Sequence, residues 1–223
     1  MMLTVHAIQL RMSSAYVIEM PAALVLVDAG SPGDARKLLT HLDTFEGKPL
    51  RLIYITHAHL DHYGAAALVH QATNAPVAVH ADDASALEKG ETHLGQVRGR
   101  GRLSAALMPM ANWLFPVEPV TADLMLHDGQ LLQEFDFPGY VVHTPGHTPG
   151  STSLIVDGRL AFVGDLLSTN GKPRTQHLYA NDWDDIERSL QRLDALDLEW
   201  LYPGHGRRPL SGEEFALLVS TQR

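Results

Sequence analysis

The chain has 223 residues, with 17 Lys and Arg against 26 Asp and Glu and a formal net charge of −9, the wrong sign for a protein that holds nucleic-acid phosphates by counterion release. Its 45% hydrophobic and 19% charged residues exclude an intrinsically disordered chain and suit one large domain spanning 1–223. The absence of cysteine excludes disulfides, thiolate metal sites and a cysteine nucleophile, whereas 13 histidines raise the question of a nitrogen- and oxygen-ligated metal.

Met1–Arg11 lacks a basic region followed by a long apolar stretch, and no apolar run approaches the ~18 residues of a membrane span. Neither a signal peptide nor a membrane partner is expected, and the expected compartment is the cytoplasm. The first strands are predicted at Leu3–Leu10, Ala15–Met20 and Ala23–Val27, from short apolar runs bounded by Gly, Pro and polar residues. A helix follows at Pro32–Phe45, opened by Pro32 after Ser31. Leu50–Ile55 reads as a strand, Ala65–Gln71 as a helix and Val77–His80 as a strand.

The stretch 81–127 fits this alternation less well and is read as an insertion or lid. It begins as a helix, passes through Arg98, Gly99, Arg100, Gly101 and Arg102, and continues into the apolar Ala105–Phe115. The three arginines read as a flexible solvated loop that could meet an anionic substrate. Leu107, Met108, Met110, Trp113, Leu114 and Phe115 read equally as core filling or as the contact of a homo-oligomer. Beyond it, strands are predicted at Leu131–Phe135, Tyr140–His143, Ser153–Val156, Leu160–Val163 and Leu198–Leu201. Helices are predicted at Asp182–Leu196, capped by Asp182, and at Gly212–Ser220. The order predicts a layered α/β architecture.

Directly after the strand segment Arg51–Thr56 comes His57-Ala58-His59-Leu60-Asp61-His62, which places four candidate ligands in six positions. In extended chain, residues two apart point the same way, so His57 and His59 can reach one ion together. Asp61 and His62 stand where the chain turns into a helix and can reach a second ion beside the first. Packing gives no reason to gather three imidazoles and a carboxylate at a strand end, whereas a cation offsets the cost of doing so. His147 lies between two Pro-Gly turns, Asp165 follows the strand Leu160–Val163, and His205 follows the strand Leu198–Leu201 through Tyr202, Pro203 and Gly204. Functional groups on loops held by a rigid sheet are where a site is expected.

With these residues the chain resembles the metallo-β-lactamase superfamily, and within it the glyoxalase II-like metal-dependent hydrolases. The segment 57–62 matches the family's H-x-H-x-D-H signature, and His147, Asp165 and His205 match its later motifs in order. The resemblance implies an α/β fold, a four-layer αβ/βα sandwich. It implies that His57, His59 and His147 hold a first metal, Asp61, His62 and His205 a second, and that Asp165 bridges them. Val27-Asp28-Ala29-Gly30 matches an early family motif, which implies that Asp28 supports the site without binding metal, orienting a ligand histidine or the loop that carries it.

The expected cofactors are two divalent metal ions, zinc by default, with iron or manganese suited to the same donors. The expected reaction is hydrolysis of a small ester, thioester or lactone by a metal-bridging hydroxide, with Asp61 placing the hydroxide or relaying its proton. The short stretch after His205 leaves little room for the basic helical extension with which glyoxalase II binds glutathione. His177 and Tyr179, in a polar loop after Asp165, are candidate substrate contacts. His6, His41, His70, His80, His93, His127 and His143 are expected to be structural or solvated. The alternative activity is a mononuclear iron dioxygenase of the persulfide type, which keeps counterparts of His57, His59 and Asp165 on a similar framework.

Overall fold

A computed structural model describes residues 3–114 and 116–221, without the side chains of 104, 108 and 111–114. The chain runs through β1 (Thr4–Gln9), β2 (Ser14–Glu19), β3 (Leu24–Val27), α1 (Ala35–Leu42), β4 (Leu50–Tyr54), α2 (Leu60–Tyr63) and α3 (Ala66–Thr73). Then follow β5 (Val77–His80), α4 (Ala81–Lys89), β6 (Gln96–Val97), α5 (Gly101–Leu114), β7 (Leu124–Leu126), β8 (Gly139–His143) and β9 (Thr152–Val156). The last elements are β10 (Leu160–Thr169), β11 (Arg174–Thr175), β12 (Tyr179–Ala180), α6 (Trp183–Asp194), β13 (Trp200–Gly206), β14 (Leu210–Ser211) and α7 (Gly212–Ser220).

The strands form two large sheets. One has the order β1-β2-β3-β4-β5-β7, antiparallel through β3 and parallel from β3 onward. The other has the order β14-β13-β10-β9-β8, with β11 also paired to β10. A short ribbon joins β6 to β12.

Alternation explains the layering. Successive strand residues point to opposite faces, so Leu24, Leu26, Ile53 and Ile55 pack outward with Leu38 of α1, Val69 of α3 and Leu87 of α4. Their neighbours Val25, Val27, Leu52 and Tyr54 pack inward with Val141, Leu154, Val156 and Phe162 of the second sheet. The far face of that sheet, with Val142, Ile155, Val163 and Leu201, is covered by Ile186 and Leu190 of α6 and Phe215 of α7. Helix, sheet, sheet and helix thus form the αβ/βα sandwich, and strands buried on both faces read as unbroken apolar runs. Each fully buried Leu, Ile or Phe contributes about 1.5–3 kcal/mol. Two buried hydroxyls cross the central layer: Tyr16 donates to Pro203 O at 2.7 Å and Tyr54 to Thr152 Oγ1 at 2.8 Å.

Asp182 caps α6 as expected, its carboxylate accepting from the backbone N–H of Asp184 and Asp185. Leu131–Phe135 is not a strand. Leu131 makes one isolated bridge to Tyr140, and Gln133–Phe135 forms a 3-10 turn that ends at Asp136 with φ +54°. Strand β10 runs on to Thr169, past the apolar run, because β13 and β11 pair with its polar end.

Within 81–127, Leu87 packs in the core beneath the first sheet and β7 pairs with β5. The segment between them carries β6 and α5, whose Leu103, Leu107 and Met110 are exposed. The side chains of Met108, Trp113 and Leu114, and Phe115 as a whole, lie outside the described residues. Among the described residues, no helix is long and apolar enough to cross a membrane.

Candidate metal centre

The loops after β4 and β8 and the polar ends of β10 and β13 converge on one rim of the sandwich. There the structure gathers His57, His59, His147 and Asp165 in one group of facing donor atoms and Asp61, His62 and His205 in another. Asp165 touches both groups: Oδ1 stands 3.1 Å from His62 Nε2, and Oδ2 stands 3.1 Å from His205 Nε2 and 3.4 Å from His147 Nε2. Gly204 leaves room for this meeting, since a Cβ there would fall 2.5 Å from Asp165 Oδ1 and 2.6 Å from His62 Cε1.

Each of the five imidazoles is anchored through one nitrogen and presents the other to the centre. His62 Nδ1 donates to Asp28 Oδ2 at 2.8 Å, His59 Nε2 to His93 O at 3.0 Å, His147 Nδ1 to Tyr179 O at 3.1 Å and His205 Nδ1 to Met12 O at 2.8 Å. The single hydroxyl proton of Thr56 is directed to Asp28. Thr56 Oγ1 therefore accepts from His57 Nδ1 at 3.0 Å. Outer hydrogen bonds of this kind fix the tautomer and aim the lone pair of a metal-binding histidine. Asp28, at φ +59°, thereby orients two of the rings at once, His62 directly and His57 through Thr56.

The inward atoms fit a cation. His57 Nε2, His62 Nε2 and Asp165 Oδ1 are buried without a hydrogen-bond partner, although Oδ1 and His62 Nε2 are 3.1 Å apart. Buried polar atoms left unpaired are costly. His59 Nδ1 and His147 Nε2 lie 2.9 Å apart as two lone pairs facing one another, an arrangement that only a positive charge stabilises.

The two groups differ electrostatically. Burial holds His57 well below the usual histidine range and also lowers His59. It pushes His147 down to about 3, with His59 beside it adding to the shift. These rings rest in the neutral, ligating form. Burial opposes charge on His62 and His205 too, but Asp165 and its carboxylate neighbours outweigh it, lifting His62 well above the usual range and His205 to about 9. Burial likewise disfavours ionised Asp165, yet His205 and His62 hold its carboxyl well below the ordinary value. A neutral trio beside a carboxylate-rich pair is a donor set that divalent ions match through imidazole and carboxylate together.

The sequence of residues 8–205 matches the model of the metallo-β-lactamase superfamily. The chain belongs to the metallo-β-lactamase superfamily. Among its relatives, a probable metallo-hydrolase YflN of Bacillus subtilis is 28% identical over 95% of this chain and 86% of that protein. The hydroxyacylglutathione hydrolase GloC of Haemophilus influenzae is 26% identical over 85% of this chain and 82% of that protein. A solved structure, TTHA1623 in a di-iron-bound form, is 29% identical, covers 96% of this chain and 98% of its own, and superposes with a TM-score of 0.71. This superfamily member is accordingly a metal-dependent hydrolase of glyoxalase II-like kind that uses divalent metal.

The remaining candidates are placed unequally. Tyr179 reaches the site through its backbone carbonyl on His147, whereas His177 is exposed, its backbone N–H donating to the amide oxygen of Gln176. His80 and His143 stack at 4.1 Å and 8°, and with Asp82 they form a further group of neighbouring donor atoms. Several groups around the rim have no mark in the sequence: the carbonyls of Met12, His93 and Tyr179, and the hydroxyl of Ser13, which donates to Asp61 O. Thr56 adjoins the signature and carries the one side chain that its position could have suggested.

Proposed function

We propose that the protein is a dinuclear metallohydrolase that cleaves a small carboxylic ester, thioester or lactone. His57, His59 and His147 would hold one ion, Asp61, His62 and His205 the other, and Asp165 would serve both. The observation that carries this reading is the inward orientation of all five imidazoles in two groups that share Asp165. Zinc is the metal of choice for this donor set, with iron and manganese also suited. Bound together, two such ions would supply an activated water and polarise the carbonyl that it attacks.

The chain's own residues do the rest. Asp61 is the proton-handling group: its side chain is 15% exposed, and Oδ2 lies 3.5 Å from His205 Nε2 and 3.8 Å from His62 Nε2. The Ser13 hydroxyl holds the Asp61 carbonyl from the β1–β2 turn, so the carboxylate keeps its place at the edge of the centre. Asp28 fixes the rings of His62 and His57. Tyr179 and the 81–127 stretch, which meet in the β6–β12 ribbon, shape the mouth, with Tyr179 and His177 contacting substrate. Relatives named hydroxyacylglutathione hydrolases support the thioester arm of the proposal.

The deciding experiment is metal analysis of protein purified without chelator, followed by a screen of thioesters, lactones and aryl esters. Two ions per chain with hydrolysis of one of these classes is the expected result. One iron per chain with oxygen consumption would overturn it in favour of a mononuclear dioxygenase.

A further inference from the structure

Asp83, in the first turn of α4, is 3% exposed, and both of its oxygens accept hydrogen bonds from the two loops that carry the first histidine group. Oδ2 accepts the N–H of Ala58 at 2.8 Å and the hydroxyl of Thr148 at 2.7 Å, and Oδ1 accepts the N–H of Gly150 at 2.8 Å. Ala58 stands between His57 and His59, and Thr148 follows His147, so one carboxylate spans the two segments whose rings meet at 2.9 Å. The loop geometry admits it closely: a Cβ on Gly150 would fall 2.6 Å from Asp83 Cγ.

A buried carboxylate is costly unless its lone pairs are satisfied, and charge-assisted bonds to backbone N–H are among the stronger ones. Here the three donors belong to loops far apart in sequence. None of the bonds reaches Asp61, His62 or His205. The clamp therefore acts on one half of the centre.

Resting on the dinuclear reading above, we propose that Asp83 is a positioning residue that sets the spacing of His57, His59 and His147 and thereby the metal affinity of that group alone. It touches neither metal nor substrate. Its effect passes through the two loops, as with other outer partners of metal ligands, whose loss costs about 10–100-fold in affinity. Asparagine fills the same volume, but its amide nitrogen cannot accept, so Asp83→Asn breaks the clamp on one side.

Zinc affinity is measured by competition with a chromophoric chelator. One arm uses a His205→Ala background, which reports the His57, His59 and His147 group. The other uses a His59→Ala background, which reports the Asp61, His62 and His205 group. Asp83→Asn is expected to weaken zinc about 10–100-fold in the first background and less than threefold in the second. Equal weakening in both, or none in either, would overturn the inference and leave Asp83 a purely structural residue. If Asp83→Asn does not fold, Thr148→Val removes one of the three bonds and is read in the same two backgrounds, with selective weakening supporting the clamp and uniform or absent weakening refuting it. A wild-type chain that takes up no second ion would instead refute the dinuclear reading, so the two failures are told apart.

Discussion

His59 Nδ1 and His147 Nε2 face one another at 2.9 Å across 88 positions of sequence, each ring having given its only N–H to a backbone carbonyl. Two such lone pairs repel unless a cation lies between them or a proton is trapped there. Fold stability and metal binding are therefore coupled at this contact.

Removal of metal should lower the melting temperature. An ion held at 100 times its dissociation constant stabilises the folded state by about 2.7 kcal/mol. For a chain of this size that corresponds to roughly 5–10 °C per ion. Dialysis against a chelator, with metal loss verified by mass spectrometry, is expected to produce this drop, and added zinc should restore it. An unchanged melting temperature after complete metal removal would refute the coupling.

Asp28 serves two rings, so its replacement should be felt on both sides of the centre. Asp28→Asn cannot accept at once from Thr56 N, Thr56 Oγ1 and His62 Nδ1. Metal affinity is expected to fall about 10–100-fold in both the His205→Ala and the His59→Ala backgrounds. This contrasts with the one-sided effect of Asp83→Asn. Loss confined to one background would contradict the role drawn for Thr56 as a relay to His57.

Much of this was legible because the strands that carry the ligands are buried on both faces, so their apolar runs and the polar residues that end them stand out in sequence. The same logic failed at Leu131–Phe135, where Leu132 alone is fully buried and the backbone turns. It failed also at β6, β11, β12 and β14, two residues each and too short for any periodicity. At the centre, donors could be read because His and Asp are chemically distinctive. Their anchors could not, because a carbonyl at Met12, His93 or Tyr179 is present in every residue. Asp83 was hidden for another reason: beside Asp82 at a helix start it reads as an ordinary acidic first turn.

The proton-transfer role proposed for Asp61 requires Asp61→Asn to lower kcat about 10²–10⁴-fold. The measurement is made at saturating zinc with stoichiometry verified, which separates the proton step from the weaker hold on the second ion. Because the amide keeps the size of the carboxylate, KM is expected to move little. Full activity with both ions bound would remove Asp61 from the mechanism.

Three buried tyrosines make stability fall at alkaline pH. Burial raises the hydroxyls of Tyr16, Tyr54 and Tyr63 well above their ordinary value of 10, and each donates to a partner, Pro203 O, Thr152 Oγ1 or Glu91 O. Above pH 10 the unfolded chain releases these protons while the folded one keeps them, so folding loses free energy as pH rises. The stabilising contribution is fully present below pH 10, and each tyrosine subtracts up to about 1.4 kcal/mol per pH unit above it. Tyrosinate absorbance from the three should appear only with unfolding. Tyr54→Phe is expected to cost about 1 kcal/mol at neutral pH through its lost bond to Thr152, and to show a shallower fall of stability above pH 10 than the unaltered chain. An identical slope would mean that Tyr54 ionises without unfolding the protein, contrary to its burial between the sheets.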